Sequence, residues 1–542
     1  MTDNHRYDTP QSGTTDWHRP LNRNFERLDT DVEIRDDEEM RDTYAPKLGA
    51  KYLATDTENE FVGDGEEWRP LQSSGVSPTF ESLSVGTIQA SSLGATRTVS
   101  SESELQDAVQ SDGLVIVTDD ITLTSAISAR VESKLRINIE GHSLKRAPDT
   151  DDHMLDFELA PSASLTLSGG FINGNRPEQD FPNMKRDEIR VTGGSNFRAD
   201  SVTGLYNTNF MFRITDVDSV QFLQPTVITY PNRIANPSDA GGLDGIHTYD
   251  CSRVSITSPI IVSGDDSIAI GAIKRSIGRV SITGGVLSSP VHANGIKLHI
   301  EYEASADITI DDILITAAIV SCQGHGIQLV NNSPRAEGRG RTLSINSVID
   351  NVVEDGINSI IPMEATVITT EVTNVGNHGV NLTAGGKDLK LISLTRNFRE
   401  TGVRLQDFSN AFIRSTINGG GGQYGIVLDS VTNAQISAII DGTTQGGVYG
   451  LDSSHISITS SIIHNCDGPP IISIRESGYW TVVGCHVYGN RTNSFELAGS
   501  NNLTEANNVG GGGSIFGSLA KRRVDSYSDV KPPVPRLLEN GE

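Results

Sequence analysis

Aromatic residues make up only 6% of this 542-residue chain, and it holds just four cysteines, Cys251, Cys322, Cys466 and Cys485. Four thiols in so long a chain exclude a disulfide framework. The pairs His464-x-Cys466 and Cys485-His486 lie 19 residues apart and could meet as a zinc site, but buried or surface thiols explain them equally well. No run of 18 apolar residues exists, which excludes a membrane-spanning helix. Lysine is scarce too: of 43 basic residues 11 are Lys and 32 Arg, against 69 carboxylates, for a net charge of −26. Phosphate binding needs basic stripes, so nucleic acid is not the predicted partner. The first ten residues, MTDNHRYDTP, contain no apolar segment, which predicts no signal peptide. Across the repeat region described next, no apolar stripe at helical spacing is long enough for a βαβ crossover.

Glycine, by contrast, is abundant, with 54 residues, and it is placed periodically. A polar-Gly-aliphatic motif recurs at Asp244-Gly245-Ile246, Asn294-Gly295-Ile296, His325-Gly326-Ile327, Asp355-Gly356-Ile357, His378-Gly379-Val380, Thr401-Gly402-Val403 and Tyr424-Gly425-Ile426. A looser copy sits at Gly446-Gly447-Val448, and Asp266-Ser267-Ile268 stands in for one copy. From Gly356 to Gly447 the intervals are 23, 23, 23 and 22 residues. Between copies the text alternates with period two and is rich in β-branched residues, as in Arg253-Val254-Ser255-Ile256-Thr257. Short strands, a Gly-marked bend and a fixed period predict an all-β fold, a right-handed parallel β-helix with three strands per coil. A sandwich or barrel with irregular turns is the alternative, and such folds do not keep a fixed period.

The predicted organisation is an N-terminal attachment region over 1–78, a spacer over 79–95, the β-helix over 96–500 and a tail over 501–542. Asp16 caps a predicted short helix with Trp17, Leu21, Phe25 and Leu28 on one stripe. Lys51–Trp68 reads as two strands around the turn Asp56-Thr57-Glu58-Asn59. This segment resembles the small ATDT…GDG…W hairpin of tail-fibre and tail-spike proteins of tailed viruses, and Thr79–Ala95 resembles the short spacers of such fibres. Glu102–Val109 is a predicted helix that caps the first coil. Gly169-Gly170-Phe171-Ile172-Asn173-Gly174-Asn175 resembles a coil common in pectin-lyase-like β-helices. The carboxylate excess with few lysines resembles proteins of salt-loving archaea, where molar salt screens self-repulsion. An ordinary acidic secreted protein is the alternative source of such a charge.

One stretch concentrates the chemistry. Asp244 and the pair Asp265–Asp266 are 21 residues apart, close to one period, so stacked coils about 4.8 Å apart bring three carboxyls to one face. Clustered carboxyls cannot all ionise cheaply, and repulsion with partial burial raises one pKa and leaves an acid beside a base. Here the chain resembles polygalacturonase-type glycoside hydrolases over roughly 232–330. Leu243-Asp244-Gly245 matches the aspartate of the family's Asn-Thr-Asp, and Gly264-Asp265-Asp266 matches its Gly-Asp-Asp in full. Ala293-Asn294-Gly295 stands at the family's Gly-His-Gly, and Gln328-Leu329-Val330 at its Arg-Ile-Lys. The resemblance implies an inverting hydrolysis without a cofactor, Asp265 as general acid, and Asp244 with Asp266 as bases holding the water. It implies carboxyls roughly 6.5–9.5 Å apart. His292, Asn294, Lys297, His299 and His325 are the predicted substrate contacts, and no metal ligands are predicted.

Three alternatives to catalysis stay open at this point. Asp-Gly is a good turn pair, so Asp244 could be a turn residue. Asp265–Asp266 could hold a structural Ca²⁺. The face could bind carbohydrate without cutting it. The leading expectation is a homotrimeric tail spike of a haloarchaeal virus, located in the virion and extracellular. It would be joined to other tail or baseplate proteins through residues 1–78, and would bind and cleave a host cell-surface glycan. A non-catalytic receptor-binding or structural virion protein and a cellular polysaccharide hydrolase are its rivals.

Overall fold

A computed structural model describes residues 34–71, apart from 47–50, 58 and 64–65. It also describes residues 95–510, apart from 184, 231–233, 235, 475–477, 493–494, 498–502 and 507. The predicted helix after Asp16 and nearly all of the 79–95 spacer lie outside the described residues. The chain divides into two compact units, Met1–Ala90 and Ser91–Glu542.

In the first unit, the predicted hairpin forms from Lys51–Ala54 and Glu60–Gly63, with Tyr52 opposite Phe61. Two further strands extend it: Ile34–Asp36 pairs parallel with Lys51–Ala54, and Trp68–Leu71 pairs antiparallel with Glu60–Gly63. Tyr52, Ala54, Phe61 and Trp68 form its core. This small sheet spends its few aromatics on one cluster, with the Tyr52 and Trp68 rings 5.6 Å apart.

The second unit is a parallel β-helix. A helix at Glu102–Ala108 precedes the coils, capped by the Ser101 side chain, and buries Leu105 and Ala108 against the first coils. Among the described residues, fifteen short strands stack into one sheet, and the other strands of each coil stack into a second sheet of 26. The first residues of the short strands form one inward column. Ile246 pairs with Ile268, then Ile296, Ile327, Ile357 and Val380, each fully buried. Each such aliphatic contributes roughly 1.5–3 kcal/mol on burial, and only a neighbouring coil supplies that burial.

The periodic glycine is explained by close approach between coils. A Cβ on Gly326 would stand 2.5 Å from the Gly356 carbonyl oxygen, and one on Gly356 would stand 2.5 Å from that of Gly379. The polar residue before each glycine forms a second column. Its side chain accepts from the next coil's backbone: His325 N donates to Asn294 Oδ1 (2.8 Å) and His378 N to Asp355 Oδ1 (3.0 Å).

Three strands per coil hold only for part of the stack. Ile246–Tyr249, Arg253–Thr257 and Ile260–Val262 make one such coil. From Ile277–Ser288 the second and third strands fuse into one long strand, 15 residues at Gly338–Val352, and they separate again at Ser454–Thr459 and Ile462–His464. Asparagine bridges these bends: Asn374 and Asn397 adopt left-handed backbone, and Asn397 Nδ2 donates to Asn374 Oδ1 at 3.0 Å. Pairing also runs past residue 500, since Leu503–Ala506 stacks on Trp480–Val483 and Val509–Gly510 on His486–Val487.

Candidate active site

The inward column fixes what lies upstream of it. With Ile246 level with Ile268 and Ile296, the residues two positions earlier, Asp244, Asp266 and Asn294, fall level as well. Backbone bonds hold them there: Gly245 N donates to Asp266 O (3.1 Å) and Ser267 N to Asn294 O (3.0 Å). Asp265 joins from the preceding position. One carboxylate oxygen from each of Asp244, Asp265 and Asp266 lies within 4.8 Å of the others. The separation of 6.5–9.5 Å implied by the resemblance is therefore not found between these nearest oxygens. Adjacent coils are spaced at the β-sheet repeat, which draws level side chains closer than that.

Each carboxyl has different company. Asp266 Oδ1 accepts from the Asn294 backbone (3.0 Å) and side chain (2.8 Å), and its Oδ2 lies 3.4 Å from Lys297 Nζ. Asp265 Oδ2 accepts from Gly242 N at 2.5 Å, and its Oδ1 lies 3.1 Å from His292 Nδ1. Asp244 Oδ2 is 2.5 Å from His247 Nδ1, while its Oδ1 is buried without a partner. Asp244 and Asp266 are buried, whereas the Asp265 side chain keeps 17% exposure.

Burial, then the charges of Asp265 and Asp266, pushes Asp244 well above the usual carboxylate range. Burial also raises Asp266, with Lys297 opposing it. Burial works against the charge on Lys297, but the three aspartates outweigh it and hold the ammonium above its ordinary value. The hydrogen bond to Asp265 raises His292. Burial, with His299 next, depresses His247 far below the usual imidazole value. The Asp244–His247 contact is a buried hydrogen bond in which burial works against charge on both partners.

A loop borders the carboxyl cluster. The short 3-10 turn Pro237–Ala240 starts at Asn236, whose side chain accepts from Ser238 N. Lys185 Nζ donates to the carbonyls of Asp239 (3.1 Å) and Gly241 (2.6 Å). This pins Gly242, the donor to Asp265, in left-handed backbone at φ +82°, where a Cβ would meet Asn209 Oδ1 at 2.7 Å.

The sequence-predicted residues thus divide into two groups. Asp244, Asp265, Asp266, His292, Asn294 and Lys297 converge. His299 lies two coils from Tyr249 across Gly271, in an adjoining group with buried His247 and half-buried Glu301. His325 stands one coil past Asn294 in the polar column, 2.8 Å from Glu354 and 3.1 Å from Asn358 Nδ2. Sequence reasoning missed His247, Tyr249, Glu301, Lys185 and Gly242. Only His247 carried a signal, as the outward residue three positions after Asp244.

Two family models match segments of the chain. The model for glycosyl hydrolases family 28 matches residues 108–292, which include all three aspartates and His292. The model for a right handed beta helix region matches residues 401–518 and agrees with the observed coils, so the fold is a right-handed parallel β-helix. An exopolygalacturonase of Zea mays is 33% identical over 96 residues, covering 18% of this chain and 22% of that protein. The chain thus matches about a fifth of that relative's length. Among solved structures, the mannuronan C-5 epimerase AlgE6 A-module of Azotobacter vinelandii covers 78% of this chain and 99% of its own, at 10% identity and TM-score 0.21. ORF18 of Geobacillus virus E2 covers 89% and 74%, at 10% identity and TM-score 0.19. Scores this low carry no argument about fold or activity.

Proposed function

We propose that the chain is a glycoside hydrolase acting on a cell-surface polysaccharide. The observation that carries this reading is the convergence of three carboxyls, two of them buried and raised. The family 28 match over the same coils supports it. Burial of Asp244 and Asp266 beside one another favours a retained proton, which belongs to the group as a whole. Asp265 is the most exposed of the three carboxyls, so it protonates the leaving glycosidic oxygen as the C–O bond breaks. Asp244 and Asp266 take the proton of the water whose oxygen bonds to the anomeric carbon. Lys297 and His292, whose pKa is raised by Asp265, flank the carboxyls and provide positive charge for an acidic sugar, in place of the missing Arg-Ile-Lys.

The resemblance, rather than the carboxyl spacing, makes the hydrolysis inverting in this reading. Proton NMR of the first-formed product tests that, and a retained anomer would reassign one aspartate as a nucleophile. The wider setting is a tail spike in the virion of a haloarchaeal virus, trimeric, attached through residues 1–78 and presenting the carboxyl cluster to host glycan. The ATDT…GDG…W hairpin and the acidic, lysine-poor composition support this setting. Light scattering of the purified full chain tests the trimer: a monomeric mass in molar salt would contradict it. Asp266→Asn separates cleavage from adsorption. Binding to host envelopes should persist while chain cleavage stops, and unchanged cleavage would overturn the assignment.

A further inference from the structure

Beside the carboxyl cluster lies a group that the hydrolytic reading leaves unused. His247 and Tyr249 sit on the outward face of Ile246–Tyr249, and His299 sits two coils on in Ile296–Ile300, followed by Glu301. Tyr249, Gly271 and His299 are level on three successive coils. The missing side chain at Gly271 lets the rings of the other two close over it, since a Cβ there would stand 2.7 Å from His299 Nε2 and 2.8 Å from the Tyr249 ring.

Both imidazoles are almost fully buried, His247 at 5% and His299 at 2% exposure. Yet His247 Nε2 and both ring nitrogens of His299 have no hydrogen-bond partner. Unpartnered buried ring nitrogens are costly unless a ligand satisfies them, and one ion can take His247 Nε2 together with one nitrogen of His299. His299 Nδ1 faces Glu301 Oε1 at 3.6 Å, too long for a hydrogen bond. Two ligands each ~2.0–2.1 Å from a tetrahedral ion stand roughly 3.3 Å apart, close to that gap. One donor atom from each of His247, His299 and Glu301 lies within 4.8 Å of the others. The outer contacts fit as well. Asp244 holds the Nδ1 of His247, which leaves Nε2 for the ion, and the Tyr249 hydroxyl bonds to Glu301. Orientation of a ligating imidazole by a carboxylate, and of a ligating carboxylate by a hydrogen bond, is the usual outer arrangement of metal sites.

We propose that His247, His299 and Glu301 bind one divalent transition-metal ion of the zinc type. Two nitrogens and one oxygen suit zinc and exclude calcium and magnesium, which take oxygen ligands. The ion replaces the expectation that the chain carries no metal. It ties coils two apart across Gly271 and fixes the His247 ring, which contacts Asp244. The proposal does not rest on hydrolysis, so the two readings fail independently.

The test uses the full chain, stripped with chelator and dialysed in molar salt, then titrated with Zn²⁺ and, separately, Co²⁺. The expected result is one ion per chain by elemental analysis, a raised melting temperature with Zn²⁺, and visible Co²⁺ d–d absorption. His299→Gln and the milder Glu301→Gln should each weaken uptake at least tenfold, while His325→Gln should retain it. No uptake by the wild-type chain would overturn the proposal. So would uptake unchanged in both ligand variants, or lost equally in His325→Gln.

Discussion

At the residue scale, the carboxyl cluster trades stability for chemistry. Asp244 has a folded-state pKa raised well above its unfolded value of about 3.9. Between those two values the folded chain binds more protons than the unfolded one, so stability from this group is full below about pH 3.9 and is lost as pH rises. Asp244→Asn mimics the protonated acid. The variant should melt higher than wild type near pH 8, and the difference should shrink toward pH 4. A variant that melts lower at both pH values would contradict the buried, raised carboxyl. On activity, Asp265→Asn and Asp266→Asn should each lower turnover by roughly 10²–10⁴-fold, the range of one acid–base group. The three aspartates were legible in the sequence because their spacing is close to the coil period. The His247–His299–Glu301 group was not. Its members meet only through a register that skips a coil across Gly271, and no local motif marks that.

At the element scale, the coil is defined by what cannot fit at its corner. Gly356→Ala would press a methyl to 2.5 Å from the Gly379 oxygen and 2.4 Å from Val372 Cγ1, both in a close-packed wall. The expected cost is about 1–3 kcal/mol, read by chemical denaturation. At Gly278→Ala the nearest atom is Ser252 O at 3.6 Å, so stability should hardly change. Equal losses at both sites would contradict the packed glycine column. The period and the aliphatic column were readable, because each coil repeats one inward pattern. The fusion of two strands into Gly338–Val352 was not readable, because alternation continues through the bend and turn residues there are ordinary. The extra strands Ile34–Asp36 and Trp68–Leu71 of the small sheet were missed because they are short and lack alternation long enough to count.

At the scale of the whole molecule, the charge of −26 is the dominant long-range term. Raising ionic strength from about 0.1 M to about 1 M shortens the screening length from roughly 10 Å to roughly 3 Å. The melting temperature should therefore climb with sodium chloride over that range, and a flat response would contradict a charge-limited fold. Cleavage, if it requires the folded site, should follow the same salt dependence. The most direct measurement of the central claim is reducing-end release in molar salt from haloarchaeal envelope polysaccharide. The wild-type chain would be run beside the Asp265→Asn, Asp266→Asn double variant, with both shown folded by circular dichroism. Release by the wild type alone is the expected result. No release by either, on envelopes to which the folded protein binds, would contradict it and leave the site a binding surface.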